Sequence, residues 1–404
     1  MAYYRVYKYN NKPFIDFINL LCYFLYMIYI NRSLEPYLKD QLGKGKAIVI
    51  YGPRQTGKTT LARRLLESYD AKEIIQFQTD DPTQASLFTP SVDTLKRIVD
   101  HKKVLFIDEA QAIENAGLVL KILVDNFPDL QIIATGSSSF ELSDKIKESM
   151  VGRVTEVTLL PFSANELAID KTERIKFNLE RSLTLGGYPE VALSNDLKAK
   201  ELLNTIAESY LYKDILSLAE TRNPAVLRKL LTALSLRVGQ EVSYNELATK
   251  LEVSRTTIER YIYLLELCFV IFRLDPLSSN SRKLLASRKR KIYFYDLGIR
   301  NVMANQLDIP LQINQQLGGL FENFCILERL KERLNQRLHI SSYYWRSPDS
   351  EIDYIEQYSG KMQAYEIKWK KGRKTPPPRF SSQFSEASYT TITKDNFWLL
   401  LDNR

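Results

Sequence analysis

The stretch Gly52-Pro53-Arg54-Gln55-Thr56-Gly57-Lys58-Thr59 fits the pattern G-x-x-x-x-G-K-[ST] and lies between an apolar run, Ala47 to Tyr51, and a helical pattern, Thr60 to Ser68. Nothing else in the chain limits its fold as sharply. A buried strand that turns through glycines straight into a helix belongs at the carboxyl edge of a parallel sheet. The glycines let the loop wrap closely round an anion with its amides inward, and the helix N-terminus adds its dipole. In that setting Lys58 supplies a cation for the outer phosphates and Thr59 a hydroxyl for Mg²⁺. Gly52 through Thr59, with Thr60, are the candidate nucleotide contacts, and ATP with Mg²⁺ are the expected cofactors.

The rest of the first half agrees with a parallel sheet. Short apolar runs recur at Ile74 to Phe77, Val104 to Ile107 and Leu130 to Ala134, separated by helical patterns such as Leu118 to Phe127. Buried strands alternating with helices predict an α/β sheet covered on both faces. The run Val104-Leu105-Phe106-Ile107 ends in Asp108-Glu109. That places Asp108 at the carboxyl edge to hold the Mg²⁺ shell and Glu109 beside it as the base that orients water. The acid pair separates ATP hydrolysers of the additional-strand class from kinases and small GTPases. Thr135-Gly136-Ser137-Ser138-Ser139 follows the next strand, and Ser137 is the candidate sensor of the terminal phosphate. Arg153, after Gly152, is read either as an arginine that meets ATP in a neighbouring subunit, which expects a homo-oligomer, or as a surface residue.

Only two histidines, His101 and His339, and three separated cysteines, Cys22, Cys268 and Cys325, occur. They argue against a histidine triad, a disulfide framework and a cysteine-type zinc site, and they point to a reducing compartment. At the N-terminus, Phe14 to Ile30 is apolar but interrupted by Asp16 and Asn19. The clean run from Leu20 is shorter than the roughly 20 residues a bilayer needs. No stable membrane insertion is expected, and residues 1–26 read as an extension before Met27.

Four segments follow: the extension 1–26, an ATPase part 27–220 with a helical lid, a helical part 221–281, and a basic part 282–404. In the third, Ser243 caps a helix over Tyr244 to Lys250, and Ser254 caps a second reaching Leu267, with a strand from Phe269 to Leu274. Helix, tight turn, helix and strand predict a winged helix-turn-helix. Arg255, Thr256, Thr257, Arg260 and Tyr261 are its candidate groove-facing residues, and docking to protein is the competing use. The last part carries 21 Lys+Arg against 13 Asp+Glu, which accounts for the whole net charge of +8. Its expected elements are a strand at Ile292 to Tyr295, a helix at Leu320 to Leu334 and strands at Tyr343 to Trp345, Ile352 to Ile355 and Ala364 to Ile367. Lys370 to Arg379, with three consecutive prolines, is a loop.

The motifs Gly-Pro-Arg-Gln-Thr-Gly-Lys-Thr-Thr at 52–60, Asp108-Glu109-Ala110-Gln111, the triple serine, Gly152-Arg153 and Gly186-Gly187-Tyr188-Pro189-Glu190 occur in that order. Together they resemble the prokaryotic AAA+ ATPases that carry a C-terminal domain of unknown function. The resemblance runs from about Met27 to the C-terminus. It implies a cytoplasmic protein with a P-loop AAA+ core, a winged helix and a C-terminal α/β domain similar to PD-(D/E)XK (restriction-endonuclease-like) nucleases. Glu322, Asp353 and Glu366-Ile367-Lys368 match the order of that nuclease motif. In a strand, Glu366 and Lys368 face one side. Asp353 and Glu366 are the candidate ligands of a second Mg²⁺, with Glu322 and Lys368 beside them. A half-exposed strand alternating Glu and Lys as cross-strand pairs is the competing reading. Basic residues at 288–291 and 370–374 favour a phosphate backbone nearby. The expected partner is DNA, with a protein partner as the alternative.

Overall fold

The structure, a computed structural model, describes residues 29–137, 150–168, 174, 177–211, 223–277 and 289–402. The extension 1–26, Ser138, Ser139, Arg288 and most of the apolar N-terminal stretch lie outside them. Among the described residues no helix is long and apolar enough to cross a membrane.

The first half is a five-stranded, wholly parallel sheet. Its strands are β1 (Ala47–Tyr51), β2 (Ile74–Gln78), β3 (Val104–Asp108), β4 (Gln131–Gly136) and β5 (Val154–Thr158), in the order β2-β3-β4-β1-β5. β1, β3 and β4 are buried along their whole length, as strands covered on both faces must be. Leu61, Ala62 and Leu65 of α1 (Lys58–Leu66) pack on one face, and Leu120 and Leu123 of the helix Ala116–Asn126 pack on the other. The order puts β4 between β1 and β3. The end of β4 therefore projects between the glycine loop and the acid pair.

The second half is built round one seven-stranded sheet. Short β6 (Glu241–Ser243) precedes α2 (Tyr244–Leu251) and α3 (Arg255–Leu267), which form the expected helix, turn and helix. Ser243 and Ser254 accept hydrogen bonds from Glu246 and Thr257, so both caps act as the sequence indicated. β7 (Ile271–Pro276) and β8 (Lys289–Phe294) follow, antiparallel to each other. The remaining strands are β9 (Ser341–Arg346), β10 (Glu351–Tyr358), β11 (Lys361–Ile367) and β12 (Ser388–Ile392). β7 pairs with β8 on one side and with β9 on the other, giving the order β12-β11-β10-β9-β7-β8-β6. A boundary at 281/282 therefore cuts a hairpin inside a continuous sheet. The sequence separated the two halves because each strand, read alone, carries no record of its partner. The long helix α4 (Leu317–Asn335) lies against this sheet, with Phe321 and Phe324 in the same core as Ile271, Ile292 and Tyr354.

The motif Gly186-Gly187 has a packing cause. The Gly187 amide donates to buried Asp296 at 2.8 Å, and its carbonyl accepts from the Phe162 amide at 2.8 Å. A Cβ on Gly187 would stand 2.6 Å from the Phe162 carbonyl oxygen. Gly187→Ala should therefore destabilise by about 1–3 kcal/mol through overpacking. A fall in the denaturation midpoint checks this, and an unchanged midpoint would show that the turn yields freely.

Candidate functional site

The glycine loop closes between β1 and α1 on two glycine geometries that other residues resist. Gly57 has φ of +87° at the start of α1, and Gly52 has φ of +149°. A Cβ on Gly52 would overlap the Leu159 carbonyl oxygen at 2.1 Å. Lys58 is buried and donates to the Gly52 and Pro53 carbonyls at 3.0 and 2.8 Å, which holds the ammonium over the loop. The Thr59 hydroxyl donates to both oxygens of Asp108, at 2.9 and 3.0 Å, and Thr135 donates to one of them. A hydroxyl and a carboxylate meeting above an anion-binding loop are the donor set a Mg²⁺ ion bound with ATP requires, so these residues fit that group.

Glu109 follows β3 in the left-handed region, with φ of 58°. For a non-glycine residue this is strain that the surroundings must hold. Its amide donates to Thr135 at 3.1 Å, and its carbonyl accepts from Thr79 at 2.8 Å. Its carboxylate accepts from the Gln111 amide, which also donates to the Ser137 hydroxyl at 3.0 Å. Glu109, Gln111 and Ser137 thus form one chain of hydrogen bonds. Of these partners, Thr79 carried no distinguishing signal in the sequence. Thr135 and Gln111 stood inside quoted motifs without an assigned role.

Arg32 is a further residue that sequence reasoning missed. It is buried, pairs with Glu166 at 3.1 Å, donates to the Thr56 carbonyl of the loop at 3.4 Å and stacks over Phe162. It ties the segment before β1 to the loop and to the turn after β5. Arg153 stands elsewhere. Its carbonyl accepts from the Ala47 amide at the opposite, amino end of β1, and its side chain pairs with Asp125 at 2.5 Å. It is not brought to the glycine loop of its own chain.

The C-terminal acids do converge. β10 changes register against β9 between Ile352 and Ile355, and this irregularity carries Asp353 into the interior, where it is fully buried. One Asp353 oxygen accepts from the Ile367 amide at 2.8 Å and from Lys368 at 2.9 Å. Glu366 accepts from the Arg373 amide and the Tyr389 hydroxyl, with Lys368 3.9 Å away. Glu322, projecting from α4, accepts from Tyr293 at 2.6 Å and from Lys291 at 2.9 Å.

Lys291, which the sequence reading placed in a surface basic run, is fully buried among these acids. Its ammonium stands 2.9 Å from Glu322, 3.7 Å from Asp353 and 3.9 Å from Glu351. Burial alone would lower the Lys291 pKa, but Glu322, Asp353 and Glu351 carry it above the ordinary lysine value. Burial pushes Glu322 up to about 7 against the pull of Lys291. Among the described residues no three acids or other ligating groups gather to hold a metal ion. With a lysine ammonium already facing its acids, this cluster does not fit a divalent cation as the glycine-loop site does.

On the two-helix unit, Thr256 and Arg260 are exposed on α3, and Arg255 is half-buried and tied to Glu259 at 2.8 Å. Tyr261 is a correction. It is 7% exposed and packs in the core with Ile258 and Leu265, so it does not face outward.

Fold and site together define a P-loop nucleotide-binding ATPase of the AAA class. Residues 44–168 match the AAA domain family, and residues 176–310 and 317–397 match two domains of unknown function, DUF8612 and DUF4143. Uncharacterized proteins of Mycobacterium tuberculosis and Mycobacterium bovis are each 31% identical over 347 residues, covering 85% of this chain and 74% of their own. One from Methanocaldococcus jannaschii is 26% identical over 348 residues, with 81% and 74% covered. The chain belongs to this family of AAA-domain proteins with a DUF4143 C-terminal domain. A solved Pif1 helicase of Candida albicans, 19% identical and covering 33% of this chain and 40% of its own, has a TM-score of 0.24, too low to argue from.

The hydrogen-bond chain at the nucleotide edge sets two expectations. Glu109→Gln should slow ATP hydrolysis by about 100- to 10,000-fold with nucleotide binding retained. Gln111→Ala should lower kcat about tenfold, the worth of one hydrogen bond, with KM little changed. Steady-state kinetics beside a nucleotide-binding assay separate the two effects. For Glu322, the ordinary value is 4.5 and the folded value about 7. The folded chain holds the extra proton between those limits. This contribution to stability is therefore full below 4.5 and lost as pH rises to about 7. Denaturation midpoints across that range should fall in the native chain, and Glu322→Gln should flatten the fall.

Proposed function

We propose that this ATPase acts on DNA, with the C-terminal half as its DNA-binding surface. ATP is taken by Gly52 to Thr60, with Thr59 and Asp108 as Mg²⁺ ligands. Glu109 orients water through its bond to Gln111, and Ser137 reports the terminal phosphate. In this reading α2, α3 and the β6–β8 strands form a winged helix, and Arg153 serves a neighbouring copy in a homo-oligomer.

The observation that carries the DNA reading is the exposed basic run Lys370-Lys371-Gly372-Arg373-Lys374. Its backbone is fastened from within, by the Arg373 amide to Glu366 and the Arg373 carbonyl to Thr391. Its side chains make no ion pair with the described residues, unlike Arg290 and Arg379, which pair with Asp275 and Asp349. Burial strengthens the case. Seven of the 13 acids after residue 281 are buried, against five of the 17 basic groups among the described residues. The surface of this half is therefore more basic than its composition, as a phosphate-backbone partner requires.

The test is ATP hydrolysis and duplex binding, measured against salt for the native chain and for Lys370, Lys371, Arg373 and Lys374 changed together to Gln. DNA should stimulate hydrolysis in the native chain. The substituted chain should bind more weakly, with its salt slope reduced by about 0.9 for each phosphate it no longer neutralises. Hydrolysis indifferent to DNA, with no binding at low salt, would sink the DNA reading and favour a switch that remodels a protein partner.

A further inference from the structure

We propose that Lys291 is the resident cation of the Glu322–Asp353–Glu351 cluster, so that this centre takes no divalent metal and does not cleave nucleic acid. The proposal is independent of whether DNA binds elsewhere on the chain.

Geometry supplies the argument. A divalent ion between carboxylates screens their repulsion and collects their free oxygens. Here a buried ammonium stands among them, hydrogen-bonded to Glu322 and facing Asp353 and Glu351. Lys291 is fully buried and stands within 3.9 Å of three acids, one on α4 and two on β10. The Asp353 oxygen that has no hydrogen-bond partner is the one nearest this ammonium, at 3.7 Å. The other Asp353 oxygen is used by the Ile367 amide and Lys368. One oxygen of Glu366 is likewise taken, by Tyr389 and the Arg373 amide. Lys291 enters from β8 with no exposure of its own, and Tyr344, itself buried, packs beside it with the ring 5.6 Å from the ammonium. A metal would have to displace this buried charge from between the acids.

The arrangement also joins parts of the chain. Lys291 lies on β8, Glu322 on α4 and Asp353 on β10, so one ion cluster links the hairpin that follows α3 to the C-terminal strands. Its role is to fasten these elements.

Mn²⁺ alone, titrated into the nucleotide-free full chain and followed by electron paramagnetic resonance, tests the proposal. Supercoiled plasmid with Mg²⁺ or Mn²⁺ serves as a second readout. Uptake by the native chain should be unchanged by Asp353→Asn, and the plasmid should stay intact. One equivalent of Mn²⁺ that is lost in Asp353→Asn but kept in Asp108→Asn would overturn the proposal. So would nicking that Glu366→Gln abolishes. Lys291→Gln should acquire Mn²⁺ uptake that adding Asp353→Asn removes. If that variant is soluble and takes up none, Lys291 does not fill a cation position. If it is insoluble, the native titration decides.

Discussion

The carboxylate of Asp108, accepting from Thr59 on one side and Thr135 on the other, joins the three central strands at the edge where nucleotide chemistry takes place. A parallel sheet satisfies its backbone internally but leaves the strand ends to be closed by side chains. Here β1, β3 and β4 close one another. The glycine loop rises from β1, Asp108 ends β3, and Thr135 and Ser137 mark the end of β4 between them. The strained backbone of Glu109 is tolerable only because Thr79 and Thr135 hold both its polar groups. Moving any of these strands by one residue would turn the polar groups into the core.

From this edge the structure is continuous into the second half. The chain leaves β5 through Leu159, Leu160 and Phe162 and meets α4 at once. The Ala164 amide donates to Glu328, and Lys331 donates to the Phe162 carbonyl at 2.9 Å while pairing with Glu328 at 2.7 Å. Glu322 of the ion cluster lies on the same helix, about 9 Å further toward its N-terminus by helical rise. Arg32 reaches the glycine loop from the other side of the turn and is paired with Glu166. Buried ion pairs and α4 thus connect the turn beside the glycine loop to the ion cluster of the C-terminal strands.

The glycine-loop edge is legible in the sequence because its geometry depends on local patterns. A glycine loop between strand and helix, and an apolar run ending in two acids, are read without knowing what packs where. Strands β5 and β12 were not seen. Val154–Thr158 and Ser388–Ile392 are β-branched and half-buried rather than apolar, and the reading followed apolar runs. The partners of Glu109 escaped for another reason, since glutamine and threonine become informative only once the sheet order brings β2, β3 and β4 together. Tyr261 was placed outward by its helical neighbours, whereas its ring is needed to fill the core beneath α3. Lys291 is the clearest case. In sequence it ends a run of four basic residues and looks solvated. Only the pairing of β8 with β7, and the crossing of α4, put it among acids.

The two acid centres of the chain show why similar residues lead to different chemistry. Asp108 is satisfied by neutral hydroxyls, and Lys58 nearby is held by neutral loop carbonyls. Exchanging the Asp108 hydroxyl partners for a metal leaves no charge stranded there, since water or the nucleotide can satisfy a released hydroxyl. Asp353 accepts from a buried amide and from the Lys368 ammonium on one oxygen, and its other oxygen faces the Lys291 ammonium at 3.7 Å. Displacing Lys291 there would leave a full charge in a low-dielectric interior, a penalty of several kcal/mol that an entering ion must offset. A site that must cycle is therefore built from hydroxyls and carbonyls, and a joint that must persist is built from buried opposite charges. The first sits where the chain turns over nucleotide, and the second where its strands have to stay together.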